Sequence, residues 1–230
     1  MATLSNKIGD TIQMLREAFP AEVGALLEQG AGEISALSIV ENALSVGDTV
    51  PDFDLQKYGG GTGSLSDYLA KGPLVVTFYR GVWCPYCNLQ LKEYSDRIKE
   101  ITDLGAQLVA LTPEKPGVLD TLKETGAPDE VIAGAVTSVD FDVLHDDASE
   151  ISKKFGLVFD LPQSHQDVLK GLGVDLVAIT GNDSFAFADP ATYVIAPNGK
   201  ITWAFVPNNY RKRAEVDAIC KALTALKADA

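Results

Sequence analysis

Cysteine and histidine are scarce in this sequence, which leaves little material for disulfides or a zinc site. Its 230 residues include three cysteines and two histidines. An odd number of cysteines argues against a set of structural disulfides. A zinc site needs a second pair of ligands, and Cys220, His145 and His165 have no metal-ligand spacing. We therefore expect neither a metal nor another cofactor, and we interpret both histidines as ordinary polar residues.

Positive charge is also scarce. The chain has 19 lysines and arginines against 32 aspartates and glutamates, a formal net charge of −13. Binding to nucleic acid or to an anionic membrane surface needs clustered lysine and arginine, so we expect neither partner. No apolar run approaches the roughly 18 residues that span a bilayer, and the N-terminus lacks a secretory pattern. We expect a cytoplasmic protein, in which a close cysteine pair is more often catalytic than structural.

Two of the cysteines form a Cys-Pro-Tyr-Cys sequence, Cys84 to Cys87, at a predicted strand-to-helix junction. Leu74 to Tyr79 is an unbroken apolar, β-branched and aromatic run, typical of a strand buried on both faces. Cys87 begins an apolar helical stripe that we expect to run to Gly105. Pro85 suits the first helical turn, so Cys84 is predicted at the N-cap.

The N-cap position favours a reactive thiolate at Cys84. Unpaired backbone N–H groups and the helix dipole can lower the pKa of such a cysteine from ~8.5 into the range ~3.5–7.5. Arg80, four residues earlier, adds positive charge. Cys87 lies nearly one turn further along, on the covered side. The strand-to-helix context favours redox chemistry over inert core cysteines, with Cys84 attacking and Cys87 resolving.

The first 45 residues predict an N-terminal helical extension. One apolar stripe runs from Leu4 to Phe19 and ends at Pro20, and a second helix is expected up to Gly30. A third helical segment is predicted from 33 to about 44. The apolar stripe packs either on the chain's own core or on a partner subunit.

Residues 46–230 predict one domain of alternating strands and helices. An extended edge segment covers 46–55, and the glycines of 59–63 form a hairpin turn rather than a phosphate loop, because the Gly-Lys-Ser/Thr ending is missing. Such alternation implies parallel strands with crossover helices. The remaining predicted elements before residue 157 are a helical turn at 64–69, strands at 107–112 and 141–144, and helices at 115–125 and from a Ser149 cap to Gly156.

The pattern becomes irregular from 157 to 189, which predicts a long insertion or lid. Strands at 191–196 and 200–206 follow, joined by a hairpin turn at Pro197-Asn-Gly199. The last helix carries an apolar stripe from Val216 to Leu226. Cys220 lies beside that stripe, and we interpret it as a small buried hydrophobe rather than as a remote resolving cysteine.

With these residues in place, the chain resembles the peroxiredoxin-like family of the alkyl hydroperoxide reductase and thiol-specific antioxidant type. The resemblance covers roughly 47 to 226. The motifs that carry it are Gly47-Asp-x-x-Pro-Asp-Phe, Phe78-Tyr-Arg-Gly-x-Trp-Cys-Pro-Tyr-Cys87, Gly105-Ala-Gln-Leu-Val-Ala-Leu, Phe155-Gly-Leu, Pro190-Ala-Thr-Tyr-Val-Ile and Tyr210-Arg-x-Arg-x-Glu215.

The resemblance implies a thioredoxin-like α/β fold with a central mixed sheet flanked by helices, to which the N-terminal extension is added. It also implies a peroxidatic cysteine at Cys84 with Cys87 as its partner. The motif positions expected to support these cysteines are Tyr79, Arg80, Gly81, Trp83, Pro190 and Arg213.

Two positions depart from the typical family pattern. Gly81 stands where these proteins have threonine or serine, and Pro190 stands where they have arginine. Loss of a preorganised donor typically costs ~10²–10³ in rate, so a slower peroxidase is expected. Pro190 instead resembles the proline that thioredoxin-type reductases hold in cis, which predicts a cis Asp189–Pro190 bond facing the cysteines.

The resemblance therefore implies a thiol peroxidase that reduces hydrogen peroxide or organic hydroperoxides through a Cys84 sulfenic acid, with Cys87 resolving it. A thioredoxin or glutathione system would act as reductant, and a homodimer is expected. The alternatives are a thiol-disulfide oxidoreductase acting on protein disulfides and a redox-sensing module without turnover.

Overall fold

The computed structural model describes residues 2–228. The predicted N-terminal extension (1–45) and the predicted domain (46–230) each reach beyond this range, at Met1 and at Asp229 and Ala230, which lie outside the described residues. Five strands occur close to where the sequence predicts them, at 74–78, 107–112, 142–145, 192–195 and 201–205. The extended segment expected over 46–55 forms a strand only from Asp54, a short strand over 62–64 lies in the predicted turn region, and two further short strands lie inside 157–189. The strands are β1 Asp54–Lys57, β2 Thr62–Ser64, β3 Leu74–Phe78, β4 Gln107–Thr112, β5 Asp142–His145, β6 Val158–Asp160, β7 Ala186–Ala188, β8 Thr192–Ile195 and β9 Ile201–Phe205.

Seven strands form one mixed sheet in the order β2-β1-β5-β4-β3-β8-β9, and β6 pairs with β7 in a second, two-stranded sheet. Strand β3 lies parallel to β4 and antiparallel to β8. Phe78 pairs with Leu111, and Thr77 pairs with Thr192. The C-terminal ends of β3 and β4 and the start of β8 therefore meet at one edge of the sheet.

Helices flank this sheet. Helix α1 packs on α5, α12 packs on α6, β8 and β9, and α10 packs on α2. The helices are α1 Leu4–Ala18, α2 Ala21–Ser35, α3 Ile39–Asn42, α4 Leu65–Leu69, α5 Pro85–Asp96, α6 Ile98–Thr102, α7 Val118–Glu124, α8 Asp129–Gly134, α9 Glu150–Lys154, α10 Gln163–Gly171, α11 Leu176–Thr180 and α12 Val216–Ala228, with a 3₁₀ turn at Asp147–Ser149.

The helix expected between Cys84 and Gly105 is divided in two. Arg97 leaves the helical conformation, with φ −114° and ψ 13°, and separates α5 from α6. Its guanidinium bonds Glu100 and Asp217, which ties the break to the last helix. Because the apolar stripe continues through this point, the sequence pattern gives no sign of the break.

Gly30 does not end the second helix, which continues to Ser35, so the predicted helix over 33–44 is reduced to α3. The glycine has a packing role instead. A Cβ at position 30 would collide with the ring of His165 and the hydroxyl of Ser164, both on α10. The lack of a side chain at Gly30 therefore allows α2 and α10 to approach closely.

The insertion over 157–189 is built from regular elements rather than irregular chain. It contains β6, α10, α11 and β7. Helix α8 is not predicted by the sequence pattern, because the chain resumes a helix directly after Pro128. Ser149 lies at the N-cap position of α9, as predicted, but it has a left-handed φ of 57° and its side chain makes no capping bond; Asp146 accepts the N–H groups of Ile151 and Ser152 instead.

The Asp189–Pro190 bond is trans, so the cis prediction is wrong. The segment is held by bonds that fit an extended approach to β8. The Asp189 N–H donates to the Leu157 carbonyl at 2.9 Å, and the carbonyl of Ala191 accepts the Phe78 N–H at 2.9 Å. No helix within residues 2–228 is long and apolar enough to cross a membrane.

Candidate active site

The two cysteines of the Cys-Pro-Tyr-Cys sequence lie at the edge of the sheet where β3 ends. Cys84 is the N-cap residue of α5, with Pro85 in the first helical turn, as predicted. Both sulfurs are in the free thiol state. Cys84 and Cys87 are each 0% exposed, so the pair is buried together.

Each sulfur has its own arginine. Nη2 of Arg80 donates to Cys84 Sγ at 3.1 Å, and Nη2 of Arg213 donates to Cys87 Sγ at 3.0 Å. Both arginines are 3% exposed. A buried guanidinium is costly unless an acceptor or an anion compensates its charge, so this geometry favours negative charge on the sulfurs.

The pKa values of the two thiols are shifted in opposite directions. Burial raises the pKa of Cys84, but the Cys87 thiol and the charges of Arg80 and Arg213 outweigh burial and hold the pKa well below its usual range. Burial also raises the pKa of Cys87, and the neighbouring Cys84 thiolate raises it further. One thiolate next to one thiol is the expected state at neutral pH.

A chain of buried polar groups holds Arg213 in place. Its Nε donates to Gln90 Oε1 at 2.6 Å, and Gln90 Nε2 donates to Thr77 Oγ1 at 2.7 Å. The hydroxyls of Thr77 and Thr192 lie 2.9 Å apart. Helix α5 and strands β3 and β8 therefore fix the guanidinium that reaches Cys87.

The turn between β3 and α5 is held from both sides. The Val82 N–H donates to Glu114 Oε2 at 2.9 Å, and the Val82 carbonyl accepts from Asn88 Nδ2 at 2.7 Å. Gly81 has a φ of +149°, and a Cβ there would collide with the Glu114 carboxyl and the Trp83 indole. A threonine at position 81 would therefore need this turn to rearrange.

Tyr210 closes the site from outside. The Arg80 guanidinium carbon lies 4.2 Å from the centre of the Tyr210 ring and 5.0 Å from that of Trp83. The ring of Tyr210 also contacts Tyr86 and meets His165 edge-on, with centroid distances of 6.1 Å and 5.2 Å. These rings separate the sulfurs from solvent.

The N-terminal helices hold the segment that carries Tyr210. Arg211 donates to both carboxylate oxygens of Glu28, each at 3.0 Å. The Asn208 amide donates to the carbonyls of Ser35 and Leu37 at 3.1 and 2.8 Å. The segment 207–213 therefore acts as a cover, whose position depends on α2 and the turn that follows it.

Several predicted residues lie away from the sulfurs' direct contacts. Tyr79 is buried, and its hydroxyl interacts with Thr112 and Tyr58. Pro190 is buried where the chain enters β8. Cys220 is partly exposed on α12, which corrects the expectation of a buried side chain.

Sequence reasoning missed three residues that shape the site: Gln90, Glu114 and Tyr210. A signal existed for two of them. Gln90 is a polar residue one helical turn after Cys87, and Glu114 follows β4 at the edge where parallel strands end, where site residues collect. Within residues 2–228 no cluster of three His, Cys, Asp or Glu side chains could hold a metal ion.

Arg80 and Arg213 should contribute unequally to the acidity of Cys84. Arg80→Met should raise the pKa of Cys84 more than Arg213→Met, because Arg80 bonds that sulfur directly and is the stronger of the two charges on it. The pKa is measured from the rate of alkylation against pH, with the labelled cysteine identified by peptide mapping. Arg97→Met is the matched control, because Arg97 bonds Glu100 and Asp217 rather than a sulfur or the cover. An unchanged midpoint in Arg80→Met would mean that the helix terminus acts alone.

Most of the chain is similar to one protein family. The AhpC/TSA family model matches residues 46–204. A putative peroxiredoxin of Mycobacterium tuberculosis is 32% identical over 81 residues, which cover 35% of this chain and 51% of that protein. The chain thus spans about half the length of that relative. The thiol-disulfide oxidoreductase ResA of Geobacillus thermodenitrificans is 24% identical over 162 residues, 70% of this chain and 69% of that protein.

The crystal structure of peroxidoxin BcpB from Mycobacterium tuberculosis covers 80% of this chain and 97% of its own, with a TM-score of 0.54 and 22% identity. This likeness confirms the predicted fold class. Residues 2–45 and 205–228 lie outside the family match, and they include Arg213 and the cover. The chain belongs to the AhpC/TSA family, which confirms the resemblance carried by its sequence motifs.

Proposed function

We propose that this protein is a thiol-dependent peroxidase in which Cys84 attacks a hydroperoxide and Cys87 resolves the product. The observation that carries the proposal is the asymmetry of the two sulfurs. Cys84 is held as a thiolate by Arg80, while the pKa of Cys87 is raised by burial and by that thiolate. A nucleophile needs the thiolate form, whereas a resolving thiol reacts after the first step.

The first step forms an S–O bond as the O–O bond breaks. The Cys84 thiolate attacks one peroxide oxygen, and the other oxygen leaves as water or an alcohol after it takes up one proton. Cys84 is then a sulfenic acid. Once the Cys84 thiolate has reacted, the Arg80 guanidinium no longer faces a negative sulfur and can stabilise the leaving oxygen.

The second step forms the disulfide. The Cys87 thiol gives up its proton, its sulfur attacks Cys84, and hydroxide leaves with that proton as water. Arg213, which bonds Cys87 Sγ, stabilises the Cys87 thiolate as it forms. In total the cysteine pair loses two electrons, and the reaction consumes one proton.

Burial favours a small oxidant over a protein disulfide. Both cysteines are 0% exposed. In thiol-disulfide exchange the attacking sulfur must reach a sulfur of the protein disulfide, so a large partner would have to approach the buried pair closely. Hydrogen peroxide or a small organic hydroperoxide needs a much smaller opening. We therefore rank the thiol-disulfide oxidoreductase as the second candidate, although a distant relative has that activity in its name.

Recycling requires two reducing equivalents from thiols. A thioredoxin or glutathione system fits this chemistry, and because both sulfurs are buried the cover must open for the reductant to reach the disulfide. We also propose that the protein forms a homodimer and that the chain divides into an N-terminal helical extension, 1–45, and a domain, 46–230. Most large apolar side chains that are well exposed in the described residues lie in the N-terminal segment, which supports self-association through it: Met14, Leu26, Leu37 and Val40. A purely monomeric species in light scattering would contradict the dimer.

Stoichiometric hydrogen peroxide should oxidise the reduced protein to a Cys84–Cys87 disulfide and leave Cys220 free. Cys87→Ser should stop at a sulfenic acid that a dimedone probe traps, and Cys84→Ser should not react. Peptide mapping after alkylation gives the readout. If peroxide leaves both cysteines reduced while a protein disulfide oxidises them readily, the oxidoreductase function replaces the peroxidase.

Weakening the cover should speed access to Cys84. Glu28→Gln removes the charge that holds Arg211, and an exposed ion pair of this kind is worth about 0.2–1 kcal/mol, so alkylation of Cys84 should accelerate by up to about 5-fold. Glu22→Gln, in the first turn of the same helix, is the control. Equal alkylation rates in the wild type and Glu28→Gln would show that opening does not involve this contact.

A further inference from the structure

Glu114 is a buried carboxyl that the proposed mechanism does not yet use. It is 0% exposed and lies beyond the end of β4, at the sheet edge that carries the cysteines. Its Oε2 accepts the Val82 N–H at 2.9 Å. Its Oε1 finds no hydrogen-bond donor among the described residues. A buried carboxylate with one donor for two oxygens is poorly compensated, which favours its neutral form.

A second unpartnered group faces the same space. The indole Nε1 of Trp83 is buried and has no acceptor within the part of the chain that the structure describes. A Cβ at Gly81 would collide with both Trp83 Nε1 and Glu114 Oε1. The two polar atoms therefore flank Gly81, on the turn that leads into Cys84.

Hydrogen bonds connect this carboxyl to the nucleophile. Glu114 holds the N–H of Val82, and the Cys84 N–H donates to the carbonyl of Gly81 at 3.1 Å. The Gly81–Val82 peptide group makes both of these bonds, so a single peptide unit links the carboxyl to the N-cap cysteine. Movement of Glu114 would displace the turn that presents Cys84 to α5.

The titratable groups around Glu114 do not neutralise its charge. The hydroxyl of Tyr58 donates to the Glu114 carbonyl at 2.7 Å, and the Glu114 charge contributes to the raised pKa values of Tyr58 and Tyr79. Arg80 bonds Cys84, and the Lys115 side chain lies against Gly181. Cys84 is the anion that faces Glu114 from α5.

Burial, opposed by the hydrogen bond from the Val82 N–H and assisted by the charge of the Cys84 thiolate, raises the pKa of Glu114 to about 8. The carboxyl is therefore mostly protonated at neutral pH while Cys84 is ionised. Coupling between two acids is reciprocal, so loss of the thiolate charge must lower the pKa of Glu114.

We propose that Glu114 is a positioning residue that also holds the proton consumed on oxidation: it stays protonated while Cys84 is a thiolate and releases its proton when that charge is lost. The peroxidase reaction consumes one proton, and in this respect the inference rests on the proposed function. One proton enters the products, and the disulfide carries no charge. A fall of about one unit in the Glu114 pKa from near 8 releases roughly 0.4 of a proton at pH 7, so Glu114 supplies part of that proton within the site and solvent supplies the rest.

The test is the pKa of Glu114 in two redox states. The protein is labelled with ¹³C at the glutamate carboxyl, and the Glu114 resonance is assigned by its loss in Glu114→Gln. The amide oxygen of glutamine can still accept the Val82 N–H, so the turn keeps its hydrogen bond. Oxidised dithiothreitol prepares the disulfide form, which keeps this measurement independent of any peroxidase activity.

We expect the Glu114 midpoint near 8 in the dithiol protein. It should be about one pH unit lower in the disulfide form and in reduced Cys84→Ser, because both lack the thiolate. Glu150→Gln, which removes an exposed carboxylate on α9, should leave the midpoint unchanged. The same midpoint in the dithiol, disulfide and Cys84→Ser proteins would overturn the proposal.

Proton uptake on oxidation is a second measurement, and Glu114→Gln would not alter it if Glu114 had only a structural role. On oxidation by hydrogen peroxide at neutral pH in weak buffer, Glu114→Gln should take up one proton from solvent per disulfide, and the wild type should take up less. Equal uptake by both proteins would contradict the proposal. If peroxide oxidises neither protein, the peroxidase function fails, while the carboxyl titration still decides the role of Glu114.

Discussion

The structure of this site depends on a buried guanidinium facing a buried sulfur. Arg80 cannot remain uncompensated in an environment that excludes water, and its charge, together with the Cys87 thiol and Arg213, favours ionisation of Cys84 there. Each group therefore sets the state of the other. Arg213 and Cys87 form a second contact of the same kind, but the thiolate already present keeps Cys87 protonated. Two similar cysteines thereby acquire different acidities.

The rest of the chain supplies the burial on which this electrostatic arrangement depends. The central sheet places the ends of β3 and β4 and the start of β8 at one edge, and α5 starts there. Segments outside the family match then close the edge. Helix α2 holds Arg211, and the same C-terminal segment brings Tyr210 over Arg80 and Arg213 to Cys87. Access and thiol acidity are thus linked through one short segment.

Local patterns predicted the centre of the fold well. An unbroken apolar run gave β3, and Pro85 placed Cys84 at the N-cap. The break at Arg97 and the continuation of α2 through Gly30 were not predictable, because each depends on a residue far away in sequence. Arg97 bonds Asp217, and Gly30 packs against His165. The cis Asp189–Pro190 bond, expected from resemblance, is contradicted. Long-range partners explain why Gln90, Glu114 and Tyr210 were missed, since each acts through residues far away in sequence.

The central claim is that Cys84 is the thiolate and Cys87 the thiol of the reduced protein. It is tested most directly by titrating both residues in one sample, with ¹³Cβ-labelled cysteine and assignment through the single serine variants. The account predicts that the Cys84 resonance titrates well below the ordinary cysteine pKa of about 8.5 and that the Cys87 resonance titrates above it. Titration of both near the ordinary value, or of Cys87 at the lower pH, would contradict it.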